Sequence, residues 1–170
     1  MQNGGFTGNM KIICFHNPTE ENGYLSNWYP VKFTYSGNSF SSTEQFMMYE
    51  KAKLFGDTEI MDQVLKEHRP EIIKRLGRKV KNFNEESWNK KRYNIVYVGN
   101  LEKFSQNQEL KDMLLSTGDS ILAECAVKDK TWGIGISMTN TKRFEPTQWK
   151  GDNLLGKVLM EVRETLRRQE

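Results

Sequence analysis

The chain has 170 residues, 36% hydrophobic, 11% aromatic and 28% charged, which suits one compact domain and excludes a disordered chain. A formal net charge of +3 falls short of the clustered lysine and arginine stripe of a dedicated nucleic-acid binder, and fits a phosphorylated small substrate equally well. No stretch approaches the ~20 apolar residues of a membrane span and no signal-peptide layout opens the chain, so no membrane partner and a cytoplasmic location are expected.

Residues 1–10 read as a flexible leader rich in Gly, Asn and Thr, and residues 11–170 as the folded domain. Ile12, Ile13, Cys14 and Phe15 form a strand-length apolar run that stops at Asn17-Pro18. Val31 to Tyr35 alternates apolar and polar residues, and Ser36-Gly37-Asn38 separates it from Ser39-Phe40-Ser41, a hairpin pattern. Ser41 or Ser42, each followed three residues later by Glu44 or Gln45, signals a helix start with a capping box. Asp57 caps a second helix, and Pro70 opens a third that carries Ile72, Ile73 and Leu76 before Gly77.

Asn84-Glu85-Glu86 starts a longer helix through Trp88 toward Phe104, its last turn weakened by Gly99. Leu110 to Leu115 is a further short helix, Ser120 to Val127 a candidate strand, and Trp132 to Ile136 strand or loop. The final helix has Leu154, Leu155, Val158, Leu159, Val162 and Leu166 on one face. No repeat or linker divides the chain. The expected fold is α+β, a mainly helical single domain with a small antiparallel or mixed sheet.

Three clusters could carry chemistry. Glu44, Met48 and Lys51 share one helix face, so a carboxylate and an amine can line one pocket wall; alternatively Glu44 only closes the capping box. Glu124, Asp129, Trp132, Gly133 and Gly135 put two acids before an indole and two glycines, either a ligand loop or a tight bend beside a core Trp. Trp149 to Gly156 is a polar turn into the last helix, where backbone N–H groups and Lys150 suit a phosphate, or where Asp152 or Asn153 is simply the N-cap. No metal is expected: His16 and His68 are far apart and neither Cys14 nor Cys125 has a paired cysteine nearby. Both cysteines sit among apolar or small residues and read as buried reduced thiols.

In order and wording these segments resemble the YbiA-like family, also called NADAR (NAD- and ADP-ribose-associated), from about Ile12 to Arg167. The resemblance lies in Tyr24-Leu25-Ser26-Asn27-Trp28, in Ser41-Ser42-Thr43-Glu44-Gln45-Phe46 with Lys51, and in Leu76-Gly77-Arg78 followed by Trp88. It continues in Lys103-Phe104, in Leu114-Leu115-Ser116-Thr117, and in Glu124 through Asp129 to Trp132-Gly133. Gly151-Asp152-Asn153-Leu154-Leu155-Gly156 and Leu159-Met160-Glu161-Val162-Arg163 complete it.

The resemblance implies an N-glycosidase without a cofactor. Its substrate would be a phosphoribosylamino-pyrimidine intermediate of riboflavin biosynthesis, with ribose 5-phosphate released. The alternatives are an ADP-ribosyl glycohydrolase acting on guanine, nucleic acid entering only as that ADP-ribosylated substrate, and a non-catalytic ADP-ribose or NAD sensor. It also implies functional places for Glu44, Trp88 and Asp129, with Asn27, Lys51, Arg78, Trp132, Gly133 and Asn153 beside them. Asp152 departs from the basic residue of many relatives, which argues against a phosphate contact at that turn.

Cleaving a ribosyl C–N bond needs a carboxylate near the sugar and a proton source near the nitrogen. Glu44 is expected at the sugar and Asp129 as the orienting or acid partner, the reverse assignment remaining open. Lys51 offers a second route, a Schiff base with the opened sugar. Trp88 and Trp132 would stack on the base and Arg78 would grip the phosphate.

Overall fold

A computed structural model gives the fold of residues 10–170; the expected leader falls on residues 1–9, outside the described residues, and on the exposed Met10. Strand β1 (Ile12–Phe15) is followed by a hairpin of β2 (Phe33–Tyr35) and β3 (Asn38–Phe40). Helices α1 (Thr43–Leu54), α2 (Thr58–Lys66), α3 (Pro70–Arg78), α4 (Glu85–Ser105) and α5 (Gln108–Ser116) come next. Strand β4 (Ile121–Glu124), a long irregular segment and α6 (Leu154–Arg168) complete the chain. The fold is thus mainly helical α+β, as expected, and the strands form two separate pairs: β1 with β4 in parallel, β2 with β3 antiparallel.

Side-chain caps set the starts of α1, α2 and α4. Ser42 Oγ accepts the Gln45 N–H at 3.1 Å, and Gln45 Oε1 reaches back past this cap to accept the Ser41 N–H at 2.7 Å, so it is Gln45 that closes the start of α1. Asp57 accepts from Ile60 and Asn84 from Ser87, and Pro70 occupies the first turn of α3. The hairpin turns on Ser36 and Gly37, both at positive φ (48° and 81°), the geometry a two-residue turn requires; Asn38 already belongs to β3.

Helix α1 is the central element, buried from Thr43 to Tyr49 and packed against α2, α3 and α4. Its Phe46 ring meets Phe33, Tyr35 and Phe40 with centroids 5.2–6.0 Å apart. Helix α6 lays its apolar face on β4 and α4. Cys14 and Cys125 are both buried and free, in a small cluster with Ala123, Ile134 and Ile136.

Three local expectations are corrected. Helix α3 does not stop before Gly77 but passes through it to Arg78, because Gly77 is where Met48 crosses: a Cβ there would lie 1.9 Å from Met48 Sδ. Gly99 is not in the last turn of α4 but well inside it, under Phe46. Asn153 stands at the start of α6 with φ 53° and makes no capping bond. Its side chain instead bridges to β4, Nδ2 donating to Leu122 O at 2.9 Å and Oδ1 accepting from Glu124 N at 3.1 Å. No helix among the described residues is long and apolar enough to cross a membrane.

Candidate active site

The start of α1, the end of α3 and the start of α4 meet the segments around His16 and Asn27 and the end of β4. A cavity of about 420 Å³ opens between them. The position of Glu44 in it follows from its neighbour: because Gln45 closes the cap, the Glu44 carboxyl is released from that duty and faces the cavity. Met48 and Lys51, one and two turns on, line the same wall. Lys51 Nζ lies between two rings, 4.7 Å from the Phe83 centroid and 5.5 Å from that of Trp88. From α3, Lys74 and Arg78, four residues apart and hence on one helix face, supply two more cations.

Asn27 enters on a tightly held segment. Its Oδ1 accepts from Thr43 Oγ1 at 2.9 Å and Asn100 Nδ2 at 3.2 Å, which leaves its own Nδ2 as a donor for the cavity. Behind it, the fully buried Lys103 donates to Tyr24 O at 2.7 Å and Ser26 O at 3.1 Å, and burial pushes its ammonium down to about 7. Opposite, Asp129 Oδ1 accepts the N–H of Thr131 at 3.0 Å and of Trp132 at 2.8 Å, a turn that presents both Asp129 and Trp132 to the cavity.

The electrostatics are those of a dry wall carrying several acids. Burial pushes Glu44 up to about 7, aided by Asp129 and opposed by Lys74, Lys51 and Arg78. Glu124 is pushed up to about 8 by burial, with Asp129 and Glu44 adding to the shift and Lys74 opposing it. Desolvation lowers Lys51, against the pull of Glu44. Carboxyls poised near neutrality beside cations can exchange protons and stabilise developing charge.

Of the residues singled out in the sequence, Glu44, Lys51, Asp129, Asn27, Arg78, Trp88 and Trp132 line this cavity together. Gly133 and Asn153 do not line it. A Cβ on Gly133 would lie 2.8 Å from Asp129 O and 3.0 Å from Glu124 O, so its role there is close backbone packing behind the site. Asn153 is the strut to β4 already described. The turn before α6 is unavailable to a phosphate: the N–H groups of Lys150, Asp152, Asn153, Leu154 and Leu155 all bond to carbonyls of residues 130–134.

Glu124, singled out in the sequence with Asp129 and Trp132 but given no role there, also lines the cavity, as do His16 and Lys74, which the sequence reading did not assign to it. His16 Nδ1 is buried with no hydrogen-bond partner among the described residues. Lys74 carried a readable signal, its four-residue spacing from Arg78. His16 carried none, because only the parallel pairing of β1 with β4 brings it beside Glu124.

A family model described as the NADAR domain matches residues 14–167. An N-glycosidase of Acanthamoeba polyphaga mimivirus is 40% identical over 162 residues, covering 91% of this chain and 95% of that protein. A riboflavin biosynthesis protein of Vibrio vulnificus is 34% identical over 154 residues, covering 91% of this chain and 38% of its own length. The solved structure of the Escherichia coli protein YbiA superposes with a TM-score of 0.77 at 26% identity, over 94% of this chain and 86% of that one. With a match that runs from β1 into α6 and a shared fold, the chain belongs to the NADAR domain family.

Proposed function

We propose that this hydrolase of N-glycosyl compounds cleaves the ribosyl C–N bond of phosphoribosylamino-pyrimidines, early intermediates of riboflavin biosynthesis, and releases ribose 5-phosphate. The observation that carries the reading is one nucleotide-sized cavity of about 420 Å³ lined by Glu44, Glu124 and Asp129 on one hand and Lys51, Lys74 and Arg78 on the other. The name of the Vibrio vulnificus relative supports the riboflavin branch.

Glu44 acts at the sugar, taking a proton from the attacking water and facing the positive charge that grows at the anomeric carbon. Asp129, fixed by two backbone N–H groups, orients Trp132 and adds negative potential. Arg78 and Lys74 grip the 5-phosphate, and Trp88 and Trp132 flank the base.

Purified protein and a Glu44→Gln variant, offered a phosphoribosylamino-pyrimidine and ADP-ribosylated guanine DNA in parallel, test this. Ribose 5-phosphate release from the first substrate only, falling about 100-fold to 10,000-fold in the variant, is the expected result. ADP-ribose release from the DNA alone would move the assignment to the glycohydrolase, and tight ADP-ribose binding without release of either product would move it to a sensor.

A further inference from the structure

Hydrolysis of an aminopyrimidine glycoside needs a proton for the departing nitrogen as well as a base for water. Asp129 is poorly placed to give that proton, since its Oδ1 is already committed to the backbone N–H groups of Thr131 and Trp132, which fix its carboxyl in the turn. Glu124 differs. It is the last residue of β4, and its backbone is held on both sides: its N–H donates to Asn153 Oδ1 at 3.1 Å and its C=O accepts from Ile134 N at 2.8 Å. Its side chain lines the cavity with Glu44 and Asp129, and its carboxyl makes no hydrogen bond or ion pair among the described residues. A fixed backbone carrying an uncommitted carboxyl is the arrangement a proton donor requires.

We propose that Glu124 is the catalytic acid that protonates the leaving nitrogen, an assignment that rests on the N-glycosidase reading above. As the C1–N bond breaks, its electron pair stays on nitrogen, which takes the proton of the Glu124 carboxyl O–H. Water gives its oxygen to C1 and its proton to Glu44. Glu124 ends the step as carboxylate and Glu44 as acid, and proton exchange with solvent restores both.

The surroundings favour this division. Burial and the neighbouring acids hold Glu124 up to about 8 and Glu44 up to about 7, with Lys74 of α3 opposing both shifts. With both carboxyls held up toward neutrality and Glu44 raising Glu124, the pair can share one proton near neutral pH, which lets one act as base while the other acts as acid.

Two readouts test the assignment. First, a carboxyl ¹³C titration of the substrate-free protein should contain a glutamate that stays protonated at pH 7 and vanishes from the spectrum of Glu124→Gln. A Glu124 that titrates in the ordinary carboxylate range overturns the assignment whatever the turnover. Second, Glu124→Gln should lose about 100-fold to 10,000-fold on the aminopyrimidine substrate but stay within about tenfold of wild type on nicotinamide mononucleotide, whose neutral pyridine departs without a proton.

The alkaline limb of the kcat/KM profile should disappear with the side chain and persist, at reduced rate, in Glu124→Asp. An equal loss on both substrates, or no loss on either, overturns the assignment. Wild-type protein inactive on both substrates removes the functional reading and this assignment with it, whereas an active wild type with a dispensable Glu124 removes this assignment alone.

Discussion

Glu44 and Gln45 are adjacent and have opposite fates. Either could have closed the cap of α1, and the fully buried Gln45 does so while its Nε2 also donates to Val64 O at 3.0 Å and Glu67 O at 2.8 Å, tying α1 to the end of α2. A Glu in that place would carry no N–H to satisfy those carbonyls, so the order Glu-Gln decides which residue is structural and which faces the cavity. Lys51 is the next test at this scale. With its amine between the Phe83 and Trp88 rings and its pKa lowered by burial, it is suited to condense with an opened sugar aldehyde. Borohydride added during turnover should then leave a sugar adduct on wild-type protein and none on Lys51→Ala; wild-type protein that carries no adduct eliminates the Schiff-base route.

At the scale of elements, α1 and α4 approach where Phe46 rests on Gly99. A Cβ there would fall 2.6 Å from Phe46 Cδ1, and the ring cannot retreat because Phe33, Tyr35 and Phe40 stand around it. Gly99→Ala would gain about 1 kcal/mol of helix propensity, but overpacking a filled core costs about 1–3 kcal/mol, so destabilisation is expected. A fall in the denaturant midpoint with an unchanged slope measures it, and a rise would show that the ring can move.

This contact also marks where sequence reasoning stops. Strand β1, the hairpin and the helix starts at Asp57, Pro70 and Asn84 were legible because their signals are local: caps, turn residues and periodicity. Glu44, Lys51 and Arg78 were legible through helix spacing or family wording, and the cavity joins them. Gly77 and Gly99 were misread, since each accommodates a side chain of α1, Met48 and Phe46, whereas at Gly133 the tight bend is the alternative that fits, its Cβ position closed off by Asp129 O and Glu124 O. His16 gained its place only through the pairing of Phe15 with Glu124, more than a hundred positions apart in the chain, whereas Glu124 stood in a legible cluster with Asp129 and Trp132 whose role the sequence left open.

Across the whole molecule, a site of this kind works against stability. Glu44 is 5% exposed, and its carboxyl, ordinarily near 4.5, is held up to about 7 in the folded state. Below pH 4.5 both folded and unfolded chains carry it protonated, and the fold is not penalised. As the pH rises toward 7 the unfolded chain sheds the proton while the folded chain keeps it, so stability is lost through that interval and the full penalty stands above it. The shift corresponds to a penalty on the order of 3 kcal/mol, and Glu124, shifted in the same direction, adds to it.

Lys103 acts in the opposite sense over a higher range: its folded pKa, lowered to about 7 from 10.5, favours the fold as the pH rises from 7 toward 10.5. The two effects separate if Glu44→Gln is examined between pH 5 and 8, below most of the Lys103 range. The variant should melt close to wild type at pH 5 and several degrees above it at pH 8, since ~1 kcal/mol moves Tm by about 2–4 °C in a domain of this size. Equal melting temperatures at pH 8 would mean that Glu44 is ionised at little cost in the folded protein, and with that the reason for placing the reaction's base on a dry wall would be gone.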